Sequence, residues 1–259
     1  GLGRALGYLV GALVLGTAFP HLLRAMGTEL PWQHVVIWVS VLSLVGGTLM
    51  LLFVPDGPHL RQAAAFEPRV LKIIFQSRSF RASAFGYFGH MWELYTLWAF
   101  LPLWLGAYAT HHATQMNLPS WTFIVIASGF LGCVIGGLLS ARWSSARVAA
   151  TQLLISGTCC LLSPLFFEAN AAVLLGFLLC WGITVAGDSP QFSALNAAHA
   201  PHEYVGSALT IANCIGFFIT VISIHSVGAL MFVIELQYLF LLLLPGPVLG
   251  LWSMRRLMR

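Results

Sequence analysis

The sequence is poor in charge. Only 8% of its 259 residues are charged, and its mean hydropathy is +0.87, whereas a soluble domain carries about 25% charged residues. A globule of this composition could not cover its surface with polar groups. The 12 basic residues are scattered among apolar runs instead of forming a stripe, so no nucleic-acid partner is predicted. Most of the chain is expected to lie in a lipid bilayer.

Signals for catalytic or cofactor chemistry are missing as well. The five cysteines lie in apolar runs without CxxC spacing, so they are interpreted as small buried hydrophobes rather than as metal ligands or disulfides. No GxxxxGK[ST] segment is present to bind a nucleotide. The predicted spans offer only isolated histidines and acids, and His111, His112 and His225 are assigned no function. The sequence therefore predicts neither an enzyme nor a bound cofactor or metal.

Long apolar runs are abundant. About 20 apolar residues in a helix cross the hydrocarbon core of a bilayer. The runs of this kind are 5–24, 34–54, 82–106, 119–140, 148–167, 171–195, 205–227 and 236–254. Glycines four residues apart let helices approach closely in lipid; they are Gly7 and Gly11, and Gly132 and Gly136, with Gly129 and Gly137 extending the second face. The predicted fold class is all-α, a polytopic transmembrane helical bundle with eight spans.

Nearly all Lys and Arg residues fall in connections that lie on the same predicted side of the membrane. With a cytoplasmic N-terminus, all but Arg24 of the 12 lie on the cytoplasmic side, as the positive-inside rule requires. The cytoplasmic set is Arg4, Arg61, Arg69, Lys72, Arg78, Arg81, Arg142, Arg147, Arg255, Arg256 and Arg259. This distribution supports the count of eight spans and predicts a cytoplasmic C-terminus.

The connection 55–81 is the longest one. After Glu67 and Pro68, apolar residues alternate with basic and polar ones over residues 69–78. A proline in the first turn of a half-apolar basic helix is typical of a segment lying on the membrane surface. A solvated linker with a helical tendency is the alternative.

Four segments carry a resemblance to a known family. They are residues 3–7 (GRALG), 11–20 (GALVLGTAFP), 32–35 (WQHV) and 137–142 (GLLSAR). They resemble, in order, the connection before the fifth helix, the fifth helix, the start of the sixth helix and the loop after the eighth helix of the major facilitator superfamily of secondary transporters. The loop departs from the family pattern at Ala141, where Asp is usual, and at Ser144, where Gly is usual.

The resemblance implies that the chain covers helices five to twelve of an expected twelve. Residues 1–54 would be the last two helices of the N-terminal half, 55–81 the central cytoplasmic loop with its interfacial helix, and 82–259 the six-helix C-terminal half. Gly137 and Arg142 would belong to the gating loop. The first residue is not Met, so we expect a fragment from which the first four helices are missing.

Glu93 lies near the middle of an apolar, aromatic span, where its charged form costs several kcal/mol unless it meets water, a partner or a proton. Its helical face also carries Gly86, Gly89 and His90. The resemblance implies that this face lines the central cavity. Glu93 would then titrate protons or contact the solute, and His90 could share its proton. The alternative is a protonated carboxyl that hydrogen-bonds a neighbouring helix.

Asp188 is the second acid inside a span. Trp181, Thr184, Asp188 and Gln191 form a polar stripe at helical spacing, and Pro190 should kink or break the helix. Interrupted helices line solute sites in transporters. Asp188 is therefore a second candidate for proton or solute contact, with helix capping or pairing with a cytoplasmic arginine as the alternative.

Asn213 shares a helical face with Thr210, Phe217 and Thr220. It is a weaker candidate for the site, because a hydrogen bond between helices explains it as well.

The resemblance implies secondary active transport of a small solute by alternating access, coupled to protons, in the inner membrane of a bacterium. The expected partners are the solute, protons, the bilayer and the missing N-terminal helices. The alternative is a non-transporting sensor or scaffold, or an inactive truncated transporter; the reading frame before Gly1 would distinguish them.

Overall fold

The structure, a computed structural model, describes residues 2–27, 31–55 and 69–258, and within these ranges it is helical without β-strands. The α-helices are α1 (Leu2–Met26), α2 (Trp32–Phe53), α3 (Arg69–Gln76), α4 (Arg78–His111), α5 (Leu118–Trp143), α6 (Ser145–Phe167), α7 (Ala171–Gly187), α8 (Ser189–His199), α9 (Val205–Leu230) and α10 (Pro245–Met254). Two 3-10 helices, His202–Tyr204 and Leu236–Leu243, precede α9 and α10. The predicted all-α transmembrane bundle is confirmed.

Seven helical stretches in the described ranges are long and apolar enough to cross a membrane. They are Leu2–Met26, Trp32–Phe53, Leu118–Trp143, Ser145–Phe167, Ala171–His199, His202–Leu230 and Leu236–Met254. The predicted span 82–106 lies in α4, which is not among them because its glycines, its His, Trp and Tyr residues and Glu93 lower the hydropathy. At 34 residues α4 is about 51 Å long, ample for a core of about 30 Å. Its crossing stays a prediction.

Two aromatic-rich clusters form the core. In one, Trp104 and Trp181 both contact Phe240, with ring centroids 5.3 Å apart in each pair. In the other, Phe80, Phe192 and Met254 lie fully buried between α4, α8 and α10. α4 packs against α9 and α10, while α6 packs against α7 and α10. The middle of α4 is thereby enclosed by other helices.

Glycines bring α5 close to two neighbours. A Cβ added at Gly7 of α1 would lie 2.7 Å from the carbonyl oxygen of Cys133 and 3.2 Å from Cα of Gly137. On its other side, α5 places Gly132 and Gly136 against the end of α7. Close approach of helices at these glycines is as predicted, but Gly137 faces α1 instead of extending the Gly132 face.

The last predicted span, 236–254, is irregular. It consists of a 3-10 helix, Leu236–Leu243, followed by α10, which begins at Pro245 and has a second proline at Pro247. Prolines lack an N–H and interrupt the hydrogen bonding of an α-helix. The indole of Trp92 donates to the carbonyl oxygen of Leu242 at 3.0 Å, which satisfies one carbonyl in this stretch.

Basic residues gather at one end of the bundle. Ser77, before α4, donates to the carbonyl of His199 at the end of α8 at 3.4 Å, and Ser253 of α10 donates to the carbonyl of Ala82 at 3.2 Å. These contacts place Arg78 and Arg81 at the start of α4 at the same end of the bundle as Arg255 and Arg256, which follow α10. Arg24 lies with His21 at the opposite end, beside the start of α5.

Residues 69–76 form a short amphipathic helix, α3. Val70 and Ile74 are buried against α4 and α9, while Leu71 and Lys72 are exposed. The expected opening of this segment by Glu67 and Pro68 lies outside the described residues. The apolar face of α3 therefore packs on the helical bundle itself.

Candidate functional site

Glu93 is fully buried and accepts hydrogen bonds from two other helices. Its Oε1 accepts from Nε1 of Trp181 at 2.8 Å and from Sγ of Cys160 at 3.3 Å, and its Oε2 accepts from Oγ of Ser156 at 3.0 Å. Trp181 comes from α7, while Ser156 and Cys160 come from α6. Both carboxyl oxygens are thus satisfied, as a buried polar group requires.

The hydroxyl of Ser156 has a choice of acceptors. Its oxygen lies 3.0 Å from Oε2 of Glu93 and 3.2 Å from the carbonyl oxygen of Leu153, and one hydroxyl proton can serve one of them fully. If Glu93 is charged, the hydroxyl donates to Oε2. If Glu93 is protonated, its own O–H donates to Ser156, whose hydroxyl then donates to Leu153. A single hydroxyl rotation accommodates both protonation states.

His90 and Asp188 form a second buried pair. Nδ1 of His90 lies 2.8 Å from Oδ1 of Asp188, and both side chains are at most 1% exposed. The sequence suggested that His90 could share the proton of Glu93, but its ring approaches Asp188 instead. The other ring nitrogen, Nε2, has no hydrogen-bond partner among the described residues. The pair therefore brings together two predicted residues from α4 and from the break between α7 and α8.

The helix is interrupted at Asp188, as predicted from Pro190. α7 ends at Gly187, α8 begins at Ser189, and the backbone of Asp188 stays near helical values. The Asp188 side chain makes no capping hydrogen bond to the start of α8, and its close charged partner is His90 rather than an arginine. Among the described residues, therefore, Asp188 neither caps α8 nor pairs with an arginine.

Further buried polar groups lie on α6 and α8. Gln191 is fully buried, and neither its Nε2 nor its Oε1 finds a partner among the described residues. Oε1 of Gln152 and Oδ1 of Asn196 are likewise buried without a hydrogen-bond partner among the described residues. Such groups are costly unless they are hydrated or bound to a solute.

Thr184 and Asn213 do not join the two acids. Oγ1 of Thr184 lies 2.9 and 3.2 Å from the backbone carbonyl oxygens of Cys180 and Trp181, and its hydroxyl donates within its own helix. Asn213 is exposed on α9, whereas Thr220 of the same predicted face is buried and donates to the carbonyl of Met91 at 2.8 Å. Of the predicted residues on α7 and α8, Trp181 and Asp188 contact side chains of α4, whereas Gln191 is buried near Gly3 of α1.

The predicted gating loop lies between α5 and α6. Gly137 is buried against α1, and Arg142 is exposed. Ser144 has φ 76° and ψ 147°, a region that glycine occupies far more readily than other residues. The departure from the family's Gly at this position therefore has a structural cost.

The apolar cavity between α4, α9 and α10 is separate from the acids. It has a volume of about 530 Å³ and is lined by aromatic, aliphatic and small residues that do not include Glu93 or Asp188. Gly89, which was expected to face the central cavity, packs instead near the backbone of Gly246 and Gly250. In this conformation Glu93 lies inside the packed helices.

Sequence reasoning missed the contribution of α6. Gln152, Ser156 and Cys160 are spaced four residues apart, which is a polar stripe on one helical face. Cys160 was interpreted as a small buried hydrophobe; it is buried, but it also donates to Glu93. Cys180 and Cys214, by contrast, are exposed, so that interpretation was wrong for them.

A second cluster was also missed. His111 at the end of α4, His112 after it and Glu168 after α6 lie together, with Nε2 of His111 3.4 Å from Oε2 of Glu168. Their separation in sequence gave no signal, because Glu168 is brought to the histidines by helix packing alone.

The family comparison agrees with this architecture. The sequence model of the Major Facilitator Superfamily matches residues 1–224, which is most of the chain. Among curated proteins, none matched. Because the matched region includes α1 to α8 and most of α9, and because these helices form a multi-pass bundle, the chain belongs to the Major Facilitator Superfamily.

Proposed function

We propose that this membrane transporter moves a small solute by alternating access and couples the movement to protons through Glu93. The observation that carries the proposal is the arrangement around Ser156, whose hydroxyl can donate to Glu93 or accept from it. A carboxyl held only as a packing element would need one fixed arrangement. Here both protonation states retain their hydrogen bonds inside the bundle.

The His90–Asp188 pair supplies a second titratable site, about one helical turn along α4 from Glu93. His90 precedes Glu93 by three residues on α4, a rise of about 4.5 Å, and Asp188 follows Trp181 by seven residues on the same interrupted helix. A proton on either pair changes the charge felt by the other. We therefore assign Asp188 and His90 to proton coupling. Gln191, three residues after Asp188 and with no partner for its amide among the described residues, is a candidate solute or water contact.

The interruption at Asp188 favours a conformational role. Discontinuous helices at a midplane site are where transporters expose backbone groups to solutes. Protonation that changes the His90–Asp188 attraction would alter the relative free energies of inward-open and outward-open states. The gating loop with Gly137 and Arg142 would respond, since Gly137 forms part of the contact between α1 and α5.

The other partners that we propose are inferred from apolar helix surfaces that no other described helix covers. No residue of α2 is buried, although α2 has the highest hydropathy of the candidate spans. We propose that helices of the N-terminal half cover part of this surface and complete a two-sided cavity. In this proposal α1 and α2 are the last two helices of the N-terminal half, residues 82–259 form the other half, and residues 55–81 are the loop between the halves. The bilayer, the plasma membrane of a bacterium in this proposal, covers the rest.

Transport assays on the full-length protein test the proposal. In proteoliposomes with an imposed pH gradient, a panel of radiolabelled sugars, amino acids and organic cations identifies the solute, and Glu93→Gln and Asp188→Asn are then compared with wild type. We expect each variant to lose gradient-driven accumulation by at least about tenfold. The matched control is Glu203→Gln, which changes an exposed acid and should leave transport unchanged.

Two results would count against the proposal. Wild-type accumulation by both site variants would remove proton coupling through these residues. Absence of transport for every solute, with intact folding and binding of a solute, would instead favour the non-transporting sensor.

A further inference from the structure

The ends of α4 and α6 are joined at the end of the bundle opposite Arg78 and Arg255. The hydroxyl of Tyr108 donates to the carbonyl oxygen of Ala169 at 2.8 Å, and Nε2 of His112 lies 2.8 Å from the carbonyl oxygen of Phe167. The rings of Tyr108 and His112 also contact each other, with centroids 4.4 Å apart. These contacts fix the backbone from which three metal-ligating side chains project.

Those side chains are His111, His112 and Glu168. Each offers one ligand atom, and the three atoms lie within 4.8 Å of one another. Nε2 of His111 is 3.4 Å from Oε2 of Glu168, and these two side chains are 51% and 53% exposed. Two imidazoles and a carboxylate at this separation need only small side-chain rotations to meet one ion at zinc–ligand distances of about 2.0–2.2 Å.

The surroundings also favour a cation. A carbonyl oxygen can only accept, so the contact with Phe167 requires Nε2 of His112 to carry the proton and leaves its Nδ1 lone pair for a metal. Such a carbonyl partner is the usual means by which a protein orients a histidine ligand. α4 ends at His111 and α6 at Phe167, so two helix C-termini place their partial negative charge at this point.

We propose that His111, His112 and Glu168 form a binding site for a divalent transition-metal ion of the zinc type. The ion is held by two imidazole nitrogens and a carboxylate oxygen, with water completing its coordination. It joins the end of α4 to the end of α6. The site does not depend on the proton-coupling proposal, since it lies at the end of the bundle and shares no residue with Glu93, His90 or Asp188.

Calorimetric titration of the full-length protein in detergent with zinc chloride tests the site. Wild type should bind one zinc ion per chain, and His111→Ala and Glu168→Gln should each weaken that binding by at least about tenfold, because each removes a ligand. The control is His225→Ala, which removes an exposed histidine from α9 and should bind zinc as wild type does. Equal melting temperatures of all four proteins without metal would show that folding is intact.

Two further readouts make the outcome decisive. Zinc should raise the melting temperature of wild type but not of His111→Ala, and X-ray absorption at the zinc edge should show nitrogen and oxygen ligands with imidazole scattering. Zinc affinity in His111→Ala and Glu168→Gln equal to wild type would overturn the proposal. A sulfur ligand, or equal weakening by His225→Ala, would place the ion elsewhere and overturn it as well.

Discussion

At the scale of single residues, the environment of Glu93 accounts for an acid inside apolar helices. Trp181, Cys160 and Ser156 donate to its two oxygens. The sequence identified Glu93 and Trp181 as candidates, because an acid and a polar stripe stand out in apolar runs. It did not identify their contact, because 88 residues separate them and only helix packing brings them together.

The hydrogen bond from Trp181 should stabilise the fold measurably. Trp181→Phe keeps most of the aromatic volume but removes the donor to Glu93, so we expect a loss of about 1–3 kcal/mol in the free energy of unfolding. Trp143→Phe is the matched control, since Trp143 is 54% exposed. Chemical unfolding in detergent measures both, and equal stability of the two variants would mean that the bond contributes nothing.

Ser144 carries backbone strain that a glycine would relieve. Non-glycine residues in its region of φ and ψ cost about 1–3 kcal/mol, partly offset by the greater chain entropy of glycine. We expect Ser144→Gly to raise the free energy of unfolding by up to about 1 kcal/mol. Ser145→Gly, one residue later in α6, should not stabilise the protein; a gain as large as that of Ser144→Gly would contradict the account.

At the scale of helices, α5 is the element that holds α1 and α7. Its glycines were recognisable from their spacing, but which face meets which helix was not, since four-residue spacing says only that some backbone approaches closely. Gly137 lies one residue after Gly136, about 100° around the helix, and consequently meets α1 while Gly136 meets α7.

Glycine substitutions in α1 test this packing. A Cβ at Gly7 would meet backbone atoms of α5 at 2.7 and 3.2 Å, so Gly7→Ala should force the helices apart and cost about 1–3 kcal/mol. Gly16→Ala is the control in the same helix, because nothing lies within 4 Å of its added Cβ; it should stabilise by about 0.5–1 kcal/mol. Thermal unfolding of both variants measures the difference, and a destabilisation of the same size at Gly16 would refute the close contact.

The backbone conformation of the last span could not be predicted from the sequence pattern. Residues 236–254 are apolar enough to predict a span, but its interruption was not predicted, although prolines lie at 245 and 247. A 3-10 helix of eight residues before them is longer than most. It depends on tertiary partners such as Trp92, whose indole satisfies the Leu242 carbonyl, and no local propensity encodes that contact.

At the scale of the whole molecule, composition and length were enough to predict a membrane bundle. Apolar runs predicted the spans, seven of which the described helices match by length and composition; the alternation inferred from Lys and Arg stays a prediction. The enclosure of Glu93 by α6 was not predictable in the same way, because the Gln152–Ser156–Cys160 stripe is weakly polar and its register against α4 is set by packing.

The orientation predicted from the basic residues, with a cytoplasmic C-terminus, can be tested on intact cells. Gln115 and Arg142 are exposed at opposite ends of α5. A membrane-impermeant thiol reagent should label Gln115→Cys and not Arg142→Cys, measured above the labelling of the unmodified protein. Labelling of Arg142→Cys alone would contradict this orientation and show that the C-terminus lies outside the cell.

The central claim is that Glu93 takes up and releases a proton within the bundle. Infrared difference spectroscopy of the full-length protein in lipid, recorded across a pH titration, measures the carbonyl stretch of a protonated carboxyl directly. We predict a band that grows on acidification, shifts in Ser156→Ala and is absent in Glu93→Gln. An unchanged band in Glu93→Gln, or no pH-dependent carboxyl band in wild type, would contradict the account.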